Sequence, residues 1–197
     1  MDIEREVVPT DRECLALLKG RDAPQKLIAH CRMVAEVALM LAVRLKAAGL
    51  PLDLPLVKAG GVLHDIAKGL HPDHSAAGAE LLEQMGCRRV ARIVASHTDI
   101  EPKRSQPPDE SDVVYLADKL VKCDRLVSLE ERFEGAFKKF AGNPEVLSSV
   151  QRRLRDAKTI SDQLAHILGC RPETLVLQNE TSIRAAIRQE SLETRAE

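Results

Sequence analysis

The apolar segment at residues 55–68 combines two features that are costly in an isolated helix. Gly60 and Gly61 each disfavour a helix interior by about 1 kcal/mol relative to Ala, which predicts the close approach of a second helix. His64 and Asp65 then place an imidazole beside a carboxylate in a segment that is expected to be buried. A buried polar group without a partner is energetically expensive. The segment therefore predicts a helix inside a bundle, with partners for both side chains.

The rest of the chain is also dominated by helical patterns. Apolar residues recur every three or four positions in residues 24–48, where Pro24 suits the first turn and Gly49 ends the run. Aromatic residues make up only 2% of the chain, and a core of Leu, Ala and Val favours helices over sheets. We predict no strand. Further helices are predicted at 10–19, 74–85, 87–96, 110–132, 133–141 and 143–168, with a break near Ser128 as the alternative for 110–132.

Bulk composition limits the functional classes. The 197 residues suit a single domain, and 29 basic against 30 acidic residues predict neither a nucleic-acid nor a membrane partner. No apolar run reaches the about 18 residues of a transmembrane helix, and the acidic start MDIEREVVPTDRECLALL does not resemble a secretory signal. We therefore expect a cytoplasmic protein. Its cysteines are isolated and predicted to be free thiols: Cys14, Cys31, Cys87, Cys123 and Cys170.

Several predicted helices each carry one side chain that could bind a metal. His30 has Leu27 and Val34 at one-turn spacing, so its imidazole is predicted to face inward. Asp118 lies in the apolar stretch VVYLADKL, where an unpaired carboxylate would be costly. Neutral imidazoles and carboxylates are suitable ligands for divalent ions. In chain order the predicted inward groups are His30, His64, Asp65, His74, His97 and Asp118.

This order of residues resembles the HD-domain metal-dependent phosphohydrolases. The resemblance covers residues 24–130 and rests on the stretches AHCRMVAEVALMLA, LHDIAKG, HSAAGAELL, ASHTD and YLADKL. It implies an all-α fold, a single-domain HD-type helical bundle with a buried metal centre. The organisation we expect is a helical extension at 1–23, the HD domain at 24–142, a C-terminal helix packed on the bundle at 143–169 and a polar tail at 170–197.

The resemblance also implies a set of metal ligands. In the mononuclear pattern, one divalent ion is held by His30, His64, Asp65 and Asp118. In a dinuclear branch, which is similar to the bacterial hydrolases of diadenosine tetraphosphate, His74 and His97 complete a second site and Asp65 bridges the two ions. Nitrogen and carboxylate ligands suit iron, manganese, cobalt, nickel or zinc, so the metal stays open. His71 and His166 are expected to lie outside the set.

Lys68 matches the Lys of the HDxxK pattern, which implies a contact with a substrate phosphate. A lysine at the surface end of a helix is the alternative interpretation. Asp65 and Lys68 are accordingly the predicted catalytic residues.

A row of further residues follows along the predicted helix 110–132. Tyr115, Lys122 and Arg125 are spaced to share a face with Asp118, so we expect the three to bind substrate. Tyr115 would stack on a base, although a core position is an equally consistent interpretation. In the polar loop after His97, Lys103 and Arg104 would either close over a substrate or form a solvated charged run.

The function implied by the resemblance is metal-dependent hydrolysis of a phosphoester or phosphoanhydride by a metal-activated water. The expected partner is a small phosphorylated substrate, a nucleotide or a dinucleoside polyphosphate. Two alternatives stay open: a di-iron oxygenase on the same fold, and a metal-stabilised sensing module without enzymatic activity. Oxygen uptake with reduced iron distinguishes the oxygenase from the hydrolase.

Overall fold

The computed structural model of the chain describes residues 6–103 and 106–193, with only the backbone described for 190–193. Within these residues, helices account for nearly all the regular structure and one short hairpin supplies the rest, which confirms the all-α prediction. The helices are α1 (Asp11–Gly20), α2 (Gln25–Ala47), α3 (Leu54–Leu63), α4 (His74–Gln84), α5 (Arg88–Ser96), α6 (Glu110–Lys119), α7 (Leu129–Lys139), α8 (Pro144–Leu168), α9 (Pro172–Gln178) and α10 (Glu180–Glu193). The antiparallel strands β1 (Val121–Lys122) and β2 (Arg125–Leu126) form the hairpin.

Aspartate side chains cap the N-termini of three helices that lead to or carry predicted metal ligands, α3, α4 and α6. Asp53 accepts a hydrogen bond from the Leu56 amide at the start of α3, and Asp73 accepts one from Ala76 at the start of α4. Asp109 caps α6 in the same way. Each carboxylate satisfies backbone N–H groups that have no partner inside the helix. The caps therefore fix where these helices begin and, with them, the side chains of the first turns.

The core is centred on the contact between α2 and α3, and the two glycines predicted to need space lie within it. A methyl group added at Gly61 would lie 2.6 Å from the Ala35 Cα in α2, and one added at Gly60 would lie 2.8 Å from the Ile93 side chain in α5. Both distances are shorter than a carbon–carbon contact allows. The predicted close helix approach is therefore confirmed on both sides of α3.

Two predicted helices end earlier than expected. The helix predicted at 55–68 stops at Leu63, and residues 64–70 continue as a series of turns. The helix predicted at 110–132 is wrong for residues 120–127, whereas the alternative of a break near Ser128 agrees with the start of α7. The helix α6 ends at Lys119 with Leu120 as its C-cap. The hairpin follows, with the left-handed Cys123 (φ 59°) in its turn, and Ser128 then caps a new helix, α7. The prediction of no strand is wrong for the same segment.

Within the polar tail predicted at 170–197, residues 172–193 form α9 and α10. Both helices pack on α2 and bury Val176 and Ile183. The Arg32 guanidinium of α2 also donates to the Ile187 carbonyl at 2.7 Å. Residues 194–197 lie outside the described residues. The other domain boundaries stay predictions, although α1 packs on α3, and α8 packs on α6 and α7.

Two further sequence predictions concern the state of the cysteines and the presence of membrane-spanning helices. The five cysteines are free thiols, with Cys14, Cys31 and Cys87 buried. No helix among the described residues combines the length and hydrophobicity needed to cross a membrane. The cytoplasmic location stays a prediction.

We predict that Gly61→Ala destabilises the protein. The added methyl group has to displace the α2 backbone at Ala35, and overpacking of this kind costs about 1–3 kcal/mol. Gly135→Ala is the matched control, because nothing lies within 4 Å of the added methyl group and Ala favours the helix by about 1 kcal/mol. Urea unfolding measures both. A Gly61→Ala protein as stable as the wild type would contradict the close packing.

Candidate metal centre

Five separate elements bring the six predicted metal ligands together. His30 comes from the first turns of α2, His74 opens α4, His97 follows α5 and Asp118 lies near the end of α6. The turn after α3 contributes the remaining two side chains. All are buried except His74, whose side chain is 23% exposed. The members are His30, His64, Asp65, His74, His97 and Asp118.

The Asp65 carboxylate lies at the middle of the cluster, and its two oxygens face different imidazoles. Oδ2 is 3.3 Å from His64 Nε2 and 3.7 Å from His30 Nε2. Oδ1 is 3.2 Å from His74 Nε2 and 3.3 Å from His97 Nε2. The arrangement thus contains two groups of ligands that share one carboxylate.

Asp118 completes the first of these groups. Its Oδ1 is 3.2 Å from His30 Nε2 and 3.7 Å from His64 Nε2. The first group therefore offers four side chains, and the second, with Asp65, His74 and His97, offers three. Donor sets of this size and composition suit divalent ions of the first transition series.

Backbone carbonyls fix the orientation of three imidazoles. His30 Nδ1 lies 2.8 Å from the Cys123 carbonyl oxygen, His64 Nδ1 lies 2.8 Å from that of Gly61, and His97 Nδ1 lies 2.6 Å from that of Val94. A carbonyl only accepts hydrogen bonds, so each Nδ1 carries the proton and donates it. When these rings are neutral, their Nε2 atoms keep lone pairs directed at the carboxylates, as is usual for metal-bound histidines.

These lone pairs make the cluster a good fit for a cation. His64 Nε2 is fully buried and has no hydrogen-bond partner among the described residues. Three imidazole lone pairs and a carboxylate converge there, and a buried acceptor without a donor is costly. A divalent ion between them removes the mutual repulsion. The residues therefore fit one or two metal ions, although nothing in the cluster identifies the metal.

Lys119 is a buried member of the site that the sequence analysis missed. Its Nζ donates to Asp118 Oδ2 at 2.7 Å and to the His97 carbonyl at 2.9 Å. Burial alone would raise the pKa of Asp118, but Lys119 and then His30 hold it well below its usual range. Lys119 thereby keeps Oδ2 occupied and leaves Oδ1 facing the imidazoles. A lysine within the apolar stretch VVYLADKL was the available signal.

Arg132 was also missed, since it lies beyond the hairpin that the sequence analysis predicted as helix. It is half-buried on α7, and its Nη2 lies 3.8 Å from Asp118 Oδ1. With Lys68, Lys119 and Arg153 it lines a cavity of about 450 Å³ that opens onto Asp65, His74, His97 and Asp118. Four cationic side chains thus surround the space next to the ligands.

Lys68 contacts the Asp65 carboxylate. Its Nζ is 2.5 Å from Asp65 Oδ2, while about half of its side chain (48%) stays exposed. The side chain therefore reaches the metal ligands and still faces solvent, which is the position needed for a phosphate contact. Its role in catalysis stays a prediction.

The structure places Tyr115 in the core instead of the substrate site. The side chain is fully buried, its hydroxyl donates to the Arg153 carbonyl at 3.2 Å, and the Lys119 ammonium lies 4.4 Å from its ring centroid. The predicted stacking on a base is wrong, because α8 covers this face of α6.

Lys122 and Arg125 do not share a helix face with Asp118, because α6 ends before them. Lys122 is half-buried in β1 and lines a second cavity beside His30. The Arg125 side chain is 64% exposed, pairs with Glu131 at 3.4 Å and lines neither cavity beside the ligands. Its predicted substrate contact is therefore not supported by its position.

The remaining predictions concern surface groups. His71 bonds within its own exposed turn, and His166 is exposed on α8, so both lie outside the ligand cluster. Lys103 pairs with Asp109, which supports the solvated interpretation of that loop. Arg104 lies outside the described residues.

Metal content tests the shared carboxylate. Two ions per chain are expected for the wild type, about one for His74→Ala, which removes a ligand of the second group only, and less than one for Asp65→Ala. His166→Ala is the control, because this exposed imidazole is far along α8 from the site. Elemental analysis by mass spectrometry after dialysis measures the number of metal ions per chain. Full metal content in Asp65→Ala would rule out the assignment.

We also predict that Lys119→Met weakens metal binding by about 10–100-fold, the effect typical of lost contacts around metal ligands. The substitution keeps an unbranched apolar stem but removes the cation that holds Asp118 Oδ2. Lys138→Met, which breaks only an exposed pair with Glu134, serves as the control. Competition with a fluorescent chelator measures the affinity. Equal affinity in the two variants would refute the role assigned to Lys119.

Comparisons with known proteins agree with the ligand geometry. A family model described as HD domain matches residues 27–122, the segment that contains all six predicted ligands. The chain is 31% identical over 132 residues to an uncharacterized protein of Methanocaldococcus jannaschii, and the match covers 62% of this chain and 78% of that protein. No solved structure matches the chain significantly.

Other relatives carry functional names. The chain is 34% identical over 140 residues to a tRNA (cytidine(56)-2'-O)-methyltransferase of Picrophilus torridus, covering 63% of this chain and 40% of that protein. It is 38% identical over 84 residues to Ribonuclease Y of Treponema pallidum, covering 40% of this chain and 16% of that protein. The chain thus spans less than half the length of these two relatives. The matched family model and the relative covered over most of its length show that the chain belongs to the HD-domain family.

Proposed function

We propose that this protein is a metal-dependent phosphohydrolase that cleaves a phosphoester or phosphoanhydride bond of a nucleotide or dinucleoside polyphosphate. The observation that carries the proposal is the shared Asp65 carboxylate, whose two oxygens face two different sets of imidazoles at 3.2–3.7 Å. Paired metal sites of this kind suit phosphoester hydrolysis. Membership in the HD-domain family supports the same reaction class.

Each group of ligands would bind one ion. His30, His64 and Asp118 would hold one ion and His74 and His97 the other, with Asp65 between them. Bound divalent ions would supply a water of lowered pKa as the nucleophile and offset the charge on phosphoryl oxygens. No serine or cysteine nucleophile is then required.

The cationic side chains around the cavity would orient the phosphate. Lys68 is the best placed, because it contacts Asp65 and stays half exposed, so its ammonium can move to a phosphoryl oxygen. Arg132 lies next to Asp118 and lines the same cavity. Lys119 and Arg153 are each already bound to a carboxylate, Asp118 and Asp99, so their main effect is positional.

An RNA phosphodiester is a second candidate substrate. Its support is the similarity to several proteins named Ribonuclease Y. The net charge of −1 provides no general attraction to a polyanion, which favours a short RNA over a long one. The match to tRNA methyltransferases covers 40% of the Picrophilus protein and does not by itself extend methyl transfer to this chain.

A hydrolysis screen tests the proposal. Purified protein is incubated with manganese, cobalt or ferrous iron and with mononucleotides, dinucleoside polyphosphates, dinucleotides and short RNA, and the products are separated by chromatography. We expect metal-dependent release of a phosphorylated product from at least one compound. If the protein binds both metal ions and releases no product from any compound, hydrolysis is refuted. Oxygen uptake by the iron form would then support the oxygenase, and its absence would support the sensing module.

Lys68→Ala provides a sharper test of the catalytic residues. We expect unchanged metal content and a fall in kcat of about 10²–10³-fold, the effect of removing one group that stabilises charge in a transition state. Lys138→Ala is the control, since its exposed ammonium lies on α7 and pairs only with Glu134. Steady-state kinetics and elemental analysis are compared for both. Lost metal in Lys68→Ala would show that the side chain supports the ligands instead of the substrate.

A further inference from the structure

The metal centre lies between two cavities. The smaller, of about 450 Å³, opens onto His74, His97 and Asp118 and is bounded by α8; we call it the α8 cavity. The larger, of about 920 Å³, opens onto His30 and is bounded by the start of α2 and the β1–β2 turn; we call it the hairpin cavity. The two cavities therefore reach the ligand cluster from its two ends.

Two cationic side chains line both cavities. Lys68 and Arg132 occur in the walls of each, and each also lies close to a central ligand, Lys68 at 2.5 Å from Asp65 and Arg132 at 3.8 Å from Asp118. The boundary between the cavities thus coincides with the metal centre. A phosphate held at this boundary would have open space on both sides of its phosphorus atom.

The walls of the hairpin cavity suit a nucleoside with its phosphate. Pro24, Leu27 and Ala29 from the start of α2 supply an apolar surface. Lys26 and Lys122 add two cations to the shared pair, whereas Asp124 is the one carboxylate in the described wall. Sites for small ligands combine apolar walls with a few polar groups and span about 300–1,000 Å³, a range that includes this cavity.

The β1–β2 turn connects the hairpin cavity to the metal ligands. Cys123 lies in the cavity wall in a left-handed conformation, φ 59°, and its carbonyl accepts the hydrogen bond from His30 Nδ1. The same turn thus shapes the cavity and orients a ligand of the first group. A ligand that contacts this turn would therefore lie next to Cys123, the residue whose carbonyl orients the His30 imidazole.

We propose that the hairpin cavity is a substrate subsite that binds the nucleoside on the far side of the scissile phosphate. The preferred substrate is then one in which the phosphate joins two nucleosides, either through a phosphodiester or through a polyphosphate, and a simple phosphomonoester is a poor substrate. This inference rests on the proposed phosphohydrolase function. It assigns the smaller α8 cavity to the other nucleoside.

Ala29→Trp tests the subsite by filling it. Ala29 is exposed on a helix and lines the cavity, so an indole is tolerated by the fold but occupies the subsite. Ala47→Trp is the matched control, because this exposed alanine is at the far end of the same helix, about 27 Å away at 1.5 Å per residue. Metal content is measured in both variants.

The readout is a ratio of specificity constants. We measure kcat/KM for diadenosine tetraphosphate, for adenylyl-3',5'-adenosine and for p-nitrophenyl phosphate. Ala29→Trp should lower the ratio of a two-nucleoside substrate to the monoester at least tenfold, and Ala47→Trp should leave it unchanged. The two-nucleoside compound with the larger fall identifies the linkage. Equal ratios in wild type and Ala29→Trp would overturn the subsite while leaving the hydrolase intact.

A binding measurement separates failure of the subsite from failure of the proposed function. If the wild type hydrolyses no phosphate compound, calorimetric titration of the metal-loaded protein with diadenosine tetraphosphate still tests the cavity. We expect at least tenfold weaker binding for Ala29→Trp and for the double variant Lys26→Gln/Lys122→Gln than for Ala47→Trp. Equal affinity in all of these proteins would overturn the proposal.

Discussion

The structure depends on one buried carboxylate, that of Asp65, which four imidazoles surround within 3.7 Å. Three of those rings donate their Nδ1 protons to backbone carbonyls and so direct lone pairs at the carboxylate. Such a cluster of acceptors is unfavourable in a protein interior without a cation. Metal binding and the packing of the helices that carry these ligands are therefore expected to be coupled.

The fold brings these ligands together through close contacts and an interrupted helix. Gly61 lets α3 approach the α2 backbone at Ala35, which places His64 beside His30 of that helix. The end of α3 at Leu63 and the turns that follow direct Asp65 to the centre of the cluster instead of along a helix face. The β1–β2 turn then supplies the carbonyl that orients His30. Each departure from a regular helix near the site thus positions a ligand.

The sequence, read with the HD-domain resemblance, was sufficient to predict most of the helices around the site and the six side chains that meet there. Apolar periodicity identifies which face of α2 is buried, and buried His and Asp side chains on that pattern are costly unless they meet a cation. The predictions failed where tertiary contacts determine the end of a helix or the burial of a side chain. The predicted helix 110–132 stops at Lys119 and a hairpin with a left-handed Cys123 in its turn replaces its middle, and α8, distant in sequence, covers Tyr115. Lys119 was missed because its burial depends on two partners, Asp118 and the His97 carbonyl, which only the fold brings together.

We propose that two metal ions share Asp65. Anomalous diffraction from crystals grown with manganese tests it most directly, because it locates each ion independently of the protein atoms. We expect two peaks about 3.5–4 Å apart, on opposite sides of the Asp65 carboxylate, the spacing usual for two-metal phosphohydrolase sites. The first peak should lie within coordination distance of His30, His64 and Asp118 and the second within that of His74 and His97. A single peak, or peaks that do not contact Asp65, would contradict a carboxylate shared by two ions.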